Sequence, residues 1–244
     1  MRISKAMLLA AGHGTRLGSL TEAVPKPMLL VGGKPLLEFT IRRLVGAGIR
    51  EAMINLHRFG ETVETYFGDG TEFGVRLYYS HETELLGTAG AIKKCEDFFR
   101  GEPFLVHYGD NLTTCRLDRL EAQHRAHGGL GTIALFWRDD VSAHSAVELD
   151  ADLRIVRFVE KPPLGTSESH WISAGVILFE SEVLDFIPAK GPSDFGFHVF
   201  PRLLAEGKPL YGYHMAPQEG LWWIDTPSHY ARVQELWSHG VLAR

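Results

Sequence analysis

The sequence predicts an α/β fold: a Rossmann-like, mixed and mostly parallel sheet flanked by helices, with a partly antiparallel lobe in the second half. Through the first half, short apolar runs alternate with stretches of helical periodicity, a pattern typical of βαβ units. In the second half, two strand-like runs, Val147 to Leu149 and Ile155 to Val159, flank the turn Asp150-Ala151-Asp152. That arrangement indicates an antiparallel hairpin.

In the first half, apolar runs bounded by turn residues predict five buried strands. Apolar residues at helical spacing predict the helices between them, the first with Pro35 as its opening residue and glycine at its end. Thr88 is expected to cap the third helix. The predicted strands are Ala6 to Ala10, Glu51 to Leu56, Val75 to Ser80, Phe104 to His107 and Thr132 to Trp137; the helices are 35–46, 61–67, 89–98 and 117–127.

The second half adds predicted strands at Ile172 to Phe179, Leu210 to His214 and Leu221 to Ile224, and helices near Phe195 to Leu204 and at Ser228 to Trp237. No linker-like stretch, low-complexity segment or repeat interrupts the chain. We therefore expect a single domain over 1–244, with a first half of about 1–137, a second of about 138–227 and a C-terminal helix of about 228–240.

Composition excludes several classes of protein. The 244 residues are 45% hydrophobic and 23% charged, which is close to an average globular protein. The net charge of −5 gives no overall basic field for nucleic acid. Two cysteines are too few for a disulfide framework, and no signal peptide or 18-residue apolar run is present. We expect a cytoplasmic protein without a nucleic-acid or membrane partner; homo-oligomerisation stays open.

The most informative stretch begins with the first predicted strand and continues as Ala10-Ala11-Gly12-His13-Gly14-Thr15-Arg16-Leu17. Glycines let an anion approach backbone N–H groups, and Arg16 and Lys26 add two cations. A Walker-type P-loop does not fit, because Gly33-Lys34 is followed by Pro35. The dinucleotide fingerprint G-x-G-x-x-G does not fit either, because the glycine that follows Gly14 is Gly18, one position too late.

Other charged residues follow predicted strands. Ligands in open α/β sheets lie beyond the carboxyl ends of the strands, so we expect Asp110, Glu160, Lys161 and Asp225 to border the same crevice as the glycine loop. Acidic and basic groups together at one crevice would suit a reaction that joins two phosphate-bearing substrates. Two such anions about 4 Å apart repel by roughly 4 kcal/mol per charge pair at an effective dielectric near 20. Positive charge and Mg²⁺ on one or two carboxylates are the usual remedy.

The pattern A-A-G-x-G-T-R-L followed by Pro25-Lys26-Pro27 resembles the signature of the sugar-1-phosphate nucleotidyltransferases. The resemblance extends over nearly the whole chain. It implies a reaction between a nucleoside triphosphate and a sugar 1-phosphate, in which the sugar phosphate attacks the α-phosphorus and pyrophosphate leaves. It also implies that the first half of the chain binds the nucleotide and the second half binds the sugar.

The resemblance assigns Arg16, Lys26 and Asp110 as catalytic residues. Asp110 and Asp225, in Trp223-Ile224-Asp225-Thr226, would hold Mg²⁺. Glu160-Lys161-Pro162 matches the element that binds sugar hydroxyls and the sugar phosphate, and Ser173 and Gly175 stand where relatives contact the sugar. The implied nucleotide-binding residues are Leu9, Ala10, Ala11, Gly12, Gly14, Thr15, Arg16, Lys26, Glu82, Gly87, Thr88 and Asp110.

The run Glu82-Thr83-Glu84-Leu85-Leu86-Gly87-Thr88-Ala89-Gly90 is similar to that of mannose- and heptose-1-phosphate guanylyltransferases. A carboxylate can accept from guanine N1–H and N2–H₂ but has nothing to donate to pyrimidine carbonyls. GTP is therefore the expected donor. A uridylyl- or thymidylyltransferase acting on glucose 1-phosphate, and a non-catalytic sugar-nucleotide-binding regulatory subunit, are the alternatives.

Three departures from the family pattern concern the sugar and the metal. Ser145-Ala146-Val147 replaces Y-G-V, Ser173-Ala174-Gly175 replaces N-x-G, and Asp225-Thr226-Pro227 replaces D-x-G. The metal carboxylate is kept, so sugar choice is affected more than metal binding. His124 and His127 lie at i and i+3 of a predicted helix without a carboxylate at ligand spacing. We expect them to be solvated.

Overall fold

The computed structural model describes residues 3–242, which divide into two compact units. The first, here called the N-terminal unit, comprises residues 4–85, 107–114 and 220–242; the second, the middle unit, comprises residues 3, 86–106 and 115–219. The elements in chain order are β1 (Lys5–Leu9), β2 (Leu30–Val31), β3 (Lys34–Pro35), α1 (Leu36–Gly46), β4 (Glu51–Leu56), α2 (Gly60–Phe67), β5 (Arg76–His81), α3 (Gly87–Lys94), α4 (Glu96–Phe99), β6 (Phe104–Tyr108), β7 (Asn111–Thr113), α5 (Leu117–His127), β8 (Gly131–Trp137), β9 (Ser145–Leu149), β10 (Ile155–Glu160), β11 (Trp171–Phe179), α6 (Phe200–Ala205), β12 (Leu210–His214), β13 (Leu221–Trp223) and α7 (Pro227–Ser238).

Three of the predicted parallel strands lie in the N-terminal unit. β1 pairs with β4, and β4 pairs with β5, all in parallel. Ala6, Met7 and Leu8 in β1 are fully buried, as expected for a strand covered on both faces. β7 and β13 form a separate antiparallel pair in the same unit.

One apolar cluster packs the last helix of the N-terminal unit into its core. Its buried members are Leu17, Leu29, Val31, Leu36, Leu112, Ile224 and Val233. Gly32 is required beside it, because its φ is +56° and a Cβ there would lie 1.9 Å from the Trp237 ring.

The middle unit contains the antiparallel strands. β9 and β10 form the predicted hairpin, β11 pairs antiparallel with β8, and β12 pairs in parallel with β8. Helix α5 packs on β8 and α6 on β10. The predicted α/β class, with parallel strands flanked by helices and a partly antiparallel lobe, is confirmed.

Three local predictions are wrong. Helix α1 begins at Leu36, because Pro35 has an extended ψ of 146°. The predicted helix 89–98 begins instead at Gly87 and breaks at Cys95, so Thr88 lies inside it and is no cap. The predicted helix near Phe195 is present, and its first turn, Phe195–Val199, is π-helical before α6 continues it. His124 is buried and hydrogen-bonds to Thr132 and Glu180, whereas we expected it in water.

Among residues 3–242, no helix has the length and apolar character needed to span a lipid bilayer.

Candidate functional site

The centre of the candidate site, in the N-terminal unit, is one buried ammonium group shared by two carboxylates. Lys26 Nζ lies 2.8 Å from Asp110 Oδ2 and 2.7 Å from Asp225 Oδ1. The lysine side chain is 6% exposed, against 39% for Asp110 and 19% for Asp225. Arg16 Nη2 lies 3.2 Å from Asp225 Oδ2, and its side chain is 70% exposed. Four residues that the sequence analysis singled out are thus in direct contact.

Local backbone structure places these four side chains. Lys26 lies in the 3₁₀ turn Lys26–Met28, where Pro25 supplies the extended residue before it. Asp110 follows Gly109, whose N–H donates to the Leu9 carbonyl at 2.8 Å. In the antiparallel β7–β13 pair, Asn111 is opposite Trp223. Asp110, one residue before that pair, and Asp225, two residues after it, therefore emerge at the same end.

Thr226, rather than Asp225, caps the terminal helix. Its hydroxyl oxygen accepts from the His229 N–H at 3.2 Å. The Asp225 carboxylate is therefore available to the ion pairs with Lys26 and Arg16.

The charges of the cluster favour the ionised forms of Lys26 and Asp225. Burial by itself would lower the pKa of Lys26, but Asp110 and Asp225 outweigh it and raise that pKa above its ordinary value. Burial likewise would raise the pKa of Asp225, but Lys26 and then Arg16 outweigh it and lower that pKa. Both pKa shifts favour the charged Lys26–Asp225 ion pair.

The glycine loop approaches the same lysine. A Cβ on Gly14, whose φ is +63°, would lie 3.2 Å from the Lys26 Cβ, so a side chain there would crowd the lysine. A Cβ on Gly12 would meet nothing within 4 Å. Thr15 begins the 3₁₀ helix Thr15–Thr21, and Ala11 is buried.

Glu82 is buried within the N-terminal unit rather than exposed to solvent. Its Oε1 accepts a hydrogen bond from Asn55 Nδ2 at 2.7 Å, and the Asn55 Oδ1 accepts from the Ala10 N–H at 2.8 Å. Asn55 stands opposite Leu9 in the β1–β4 ladder. Glu84, the other carboxylate considered for the base, is exposed.

In the middle unit, Gly87 and Thr88 contact a segment about a hundred residues further along the chain. Asp194 Oδ1 accepts from the Thr88 N–H at 3.0 Å and from its hydroxyl at 3.2 Å. The Ser193 carbonyl accepts from two further N–H groups in the first turn of α3. Gly87 has φ +74°, and a Cβ would lie 2.5 Å from the Ser193 oxygen. The backbone contact alone thus accounts for glycine at this position.

The predicted sugar-binding residues also lie in the middle unit. The Ser145 hydroxyl donates to Glu160 Oε2, and a Cβ on Gly196 would lie 2.5 Å from the same oxygen. Lys161 follows with φ +48°, a strained conformation for a residue with a side chain, and its N–H donates to the His144 carbonyl at 2.9 Å.

Ser173 and Gly175 lie in β11 where its register with β8 shifts, between Ser173 and Ile177. Gly175 has φ +71°, and its N–H donates to the Ser173 hydroxyl oxygen at 3.4 Å. The pair therefore lies where the regular β11–β8 ladder is interrupted.

Sequence reasoning missed Asn55 and Asp194 as partners of candidate site residues. Asn55 could have been found, because it is a polar residue near the carboxyl end of a buried parallel strand. Asp194 carries no such signal, since its partner Thr88 lies 106 residues earlier.

Asp110 and Asp225 are the residues of the cluster that could hold a divalent cation, although no group of three or more His, Cys, Asp or Glu side chains in residues 3–242 is arranged to hold a metal ion. Mg²⁺ usually binds through one or two carboxylates and keeps several waters and substrate phosphates as its other ligands. Asp110 and Asp225 already share one cation, the Lys26 ammonium, at hydrogen-bonding distance. Their oxygens are the hard donors that Mg²⁺ prefers.

Comparison with known proteins gives consistent matches. The family model described as nucleotidyl transferase matches residues 5–235. The chain is 35% identical over 255 residues to the UTP–glucose-1-phosphate uridylyltransferase of Synechocystis sp., covering 98% of this chain and 64% of that protein. It is also 35% identical to the mannose-1-phosphate guanyltransferase of Saccharomyces cerevisiae, covering 89% of this chain and 60% of that protein. The chain thus spans about three fifths of the length of these relatives.

Solved structures share the fold. A crystal structure from Bacillus anthracis, provisionally named a glucose-1-phosphate thymidylyltransferase and bound to sucrose, matches with a TM-score of 0.85 and 25% identity. The match covers 96% of this chain and 94% of that one.

Proposed function

The chain belongs to the nucleotidyl transferase family, and on that basis we propose that it transfers a nucleotidyl group from a nucleoside triphosphate to a sugar 1-phosphate. A sugar phosphate oxygen attacks the α-phosphorus, the bond to the β-phosphate oxygen breaks, and pyrophosphate leaves. The observation that carries the proposal is the Lys26 ammonium held between Asp110 and Asp225, with Arg16 paired to the other carboxylate oxygen of Asp225.

Each residue of this cluster has a proposed role. Asp110 and Asp225 would hold Mg²⁺, which supplies charge neutralisation at the phosphates when it is bound. Lys26, relieved of the carboxylates in that state, would contact oxygens near the α-phosphorus, and the exposed Arg16 would hold the leaving pyrophosphate. The open space at Gly12 supports close approach of the triphosphate to the loop backbone.

No nucleophilic side chain is required. The reacting oxygen belongs to the sugar phosphate, so the protein contributes positioning and charge stabilisation. Bringing two anions together is the main electrostatic cost, and the two cations of the cluster oppose it.

GTP is the proposed donor, because Glu82 is a buried carboxylate held in place by Asn55. An acceptor group suits the N1–H and N2–H₂ donors of guanine. UTP is the alternative that the Synechocystis relative favours, since that protein is named a uridylyltransferase and matches at the same 35% identity as the yeast guanyltransferase over a larger share of this chain, 98% against 89%.

The proposed acceptor is a mannose- or heptose-like sugar 1-phosphate. Glu160 would accept sugar hydroxyls, Lys161 would hold the sugar phosphate, and Ser173 and Gly175 would line the sugar. The strained backbone at Lys161 supports a functional role for this residue. We further propose that the protein works in the cytoplasm, where nucleoside triphosphates are abundant.

A screen of pyrophosphate release tests the proposal. GTP, UTP, dTTP, CTP and ATP are each combined with mannose, glucose and heptose 1-phosphates in the presence of Mg²⁺. We expect release with at least one pair, fastest with GTP, and its loss in an Asp110→Asn variant prepared in parallel. A folded wild-type chain that releases no pyrophosphate with any pair would refute the proposal, and a preference for UTP would refute the choice of donor.

A further inference from the structure

Asn55 connects two parts of the N-terminal unit that the proposed function uses separately. The residue is 4% exposed. It donates from Nδ2 to Glu82 Oε1 at 2.7 Å and accepts at Oδ1 from the Ala10 N–H at 2.8 Å. Ala10 leads into the glycine loop, and Glu82 is the proposed base-contacting residue.

The orientation of the Asn55 amide is determined by its neighbours. A backbone N–H can only donate, so the oxygen of Asn55 must face Ala10. The amino group must then face Glu82. The flipped amide would place an N–H group against the Ala10 N–H and an oxygen against a carboxylate, which loses both hydrogen bonds.

This fixed amino group requires a hydrogen-bond acceptor from residue 82. A glutamate meets the requirement with either oxygen, and its other terminal atom is again an acceptor. A glutamine at this position would have to give its only oxygen to Asn55. Its other terminal atom would then be an NH₂ donor.

We propose that Asn55 is a positioning residue for base selection: it determines which terminal atom of residue 82 is presented to the nucleotide base. The proposal rests on the nucleotidyl transfer proposed above. With Glu82 the presented atom is an acceptor, which matches guanine. With glutamine it is a donor, which matches a carbonyl oxygen of uracil or thymine and mismatches guanine.

Exchanging the two side chains gives the sharpest test. In the double variant Asn55→Asp/Glu82→Gln, the carboxylate introduced at position 55 accepts from both the Ala10 N–H and the glutamine NH₂, so the glutamine oxygen is again presented to the base. The net charge equals that of the wild type. The double variant should therefore regain the guanine preference that Glu82→Gln alone loses.

The experiment measures kcat/KM for GTP, ITP and UTP in the wild type, both single variants and the double variant. ITP keeps N1–H but lacks the N2 amino group. We expect Glu82→Gln to lower the GTP-to-UTP ratio roughly 10- to 100-fold, the discrimination usual for a hydrogen-bonded base edge. We expect the double variant to return the ratio to within about tenfold of wild type. Ile54→Val, on the same strand outside this network, serves as the control and should leave the ratio unchanged.

Each outcome decides between the two proposals. If the role of Asn55 is merely structural, its replacement lowers kcat/KM equally for all three triphosphates, and the GTP-to-UTP ratio of the double variant stays as low as that of Glu82→Gln. That result overturns the inference but not the proposed function. If the wild type releases no pyrophosphate with any triphosphate and GTP causes no thermal shift, both are overturned. Should the double variant be too unstable to assay, Asn55→Ser combined with Glu82→Gln replaces it. That variant removes the orienting amide, so it should weaken the shift toward UTP relative to Glu82→Gln alone, and an undiminished shift overturns the inference.

Discussion

Replacing Lys26 with methionine is the most informative perturbation of the cluster. The Lys26 side chain is 6% exposed and its ammonium lies within 2.8 Å of both Asp110 and Asp225, so its removal leaves two carboxylates facing each other without a cation between them. Removing one partner of a buried ion pair costs about 3–5 kcal/mol. Because the Asp110 side chain is 39% exposed and the Asp225 side chain 19% exposed, water compensates in part. We expect a loss of about 2–3 kcal/mol in the free energy of unfolding.

Urea denaturation near neutral pH measures this loss, and Lys34→Met is the matched control. Lys34 is 49% exposed, and its ammonium lies 3.8 Å from Glu38 Oε1. The control should change stability by no more than about 0.5 kcal/mol. Mg²⁺ should raise the melting temperature of Lys26→Met more than that of Lys34→Met. Without the Lys26 ammonium, Asp110 and Asp225 have no competing cation, so they should bind Mg²⁺ more tightly, and tighter binding stabilises the native state more. Equal losses in the two variants would refute the electrostatic description of the cluster.

The structure makes three further predictions. Asp110→Asn should lower kcat about 10²- to 10³-fold, the usual loss for one charge-stabilising group, in a pyrophosphate assay with saturating Mg²⁺; an unchanged rate contradicts the metal role. Gly196→Ala should raise the KM for the sugar phosphate with little loss of stability, because the added Cβ displaces the flexible end of Glu160. Gly46→Ala is the control and should have no such effect, because a Cβ there has no neighbour within 4 Å. Burial, assisted by nearby Arg43, lowers the pKa of His107 to about 4. Since the unfolded chain binds that proton from about pH 6.5 downward, stability is full above this pH and should fall by about 2–3 kcal/mol on lowering the pH to about 4.5. Urea midpoints should show a smaller fall in His107→Gln, and an equal fall refutes the assignment.

Most strands and helices could be predicted from sequence periodicity, because the residues that are buried recur at the spacing of the element that buries them. Strand β4 and helix α5 have their predicted bounds, and β1 is displaced by one residue. These elements have continuous apolar runs or regular helical spacing. Predictions failed where a distant partner replaces the local signal, as where Asp194 takes the capping role expected of Thr88.

His124 shows the same limit. Its helix is polar overall, and the sequence around it gives no reason for burial. It is buried because Thr132 and Glu180, which lie outside that helix, supply hydrogen-bond partners for both ring nitrogens. Hydrophobic patterns cannot anticipate such a contact, since it depends on side chains 8 and 56 residues away.

The candidate site could be predicted in outline, because parallel strands bring their carboxyl ends to one edge of a sheet. On that rule we expected Asp110 and Asp225 beside the glycine loop, and both contact Lys26. Asp225 reaches this position through the antiparallel β7–β13 pair, 199 residues after Lys26, and not through a parallel strand. The rule could not show that Lys26 itself would be buried between the two carboxylates. It also could not show that Glu82 would be tied to Ala10 through Asn55.

The central claim is that Asp110 and Asp225 hold a divalent cation beside a bound nucleotide. A crystal structure with Mn²⁺ and a non-hydrolysable GTP analogue tests it most directly, because the anomalous signal locates the metal independently of the protein. We expect one Mn²⁺ bonded to both carboxylates, with the Lys26 ammonium moved onto a phosphate oxygen. An ordered nucleotide whose metal touches neither aspartate, with Lys26 still between the two carboxylates, would contradict the claim.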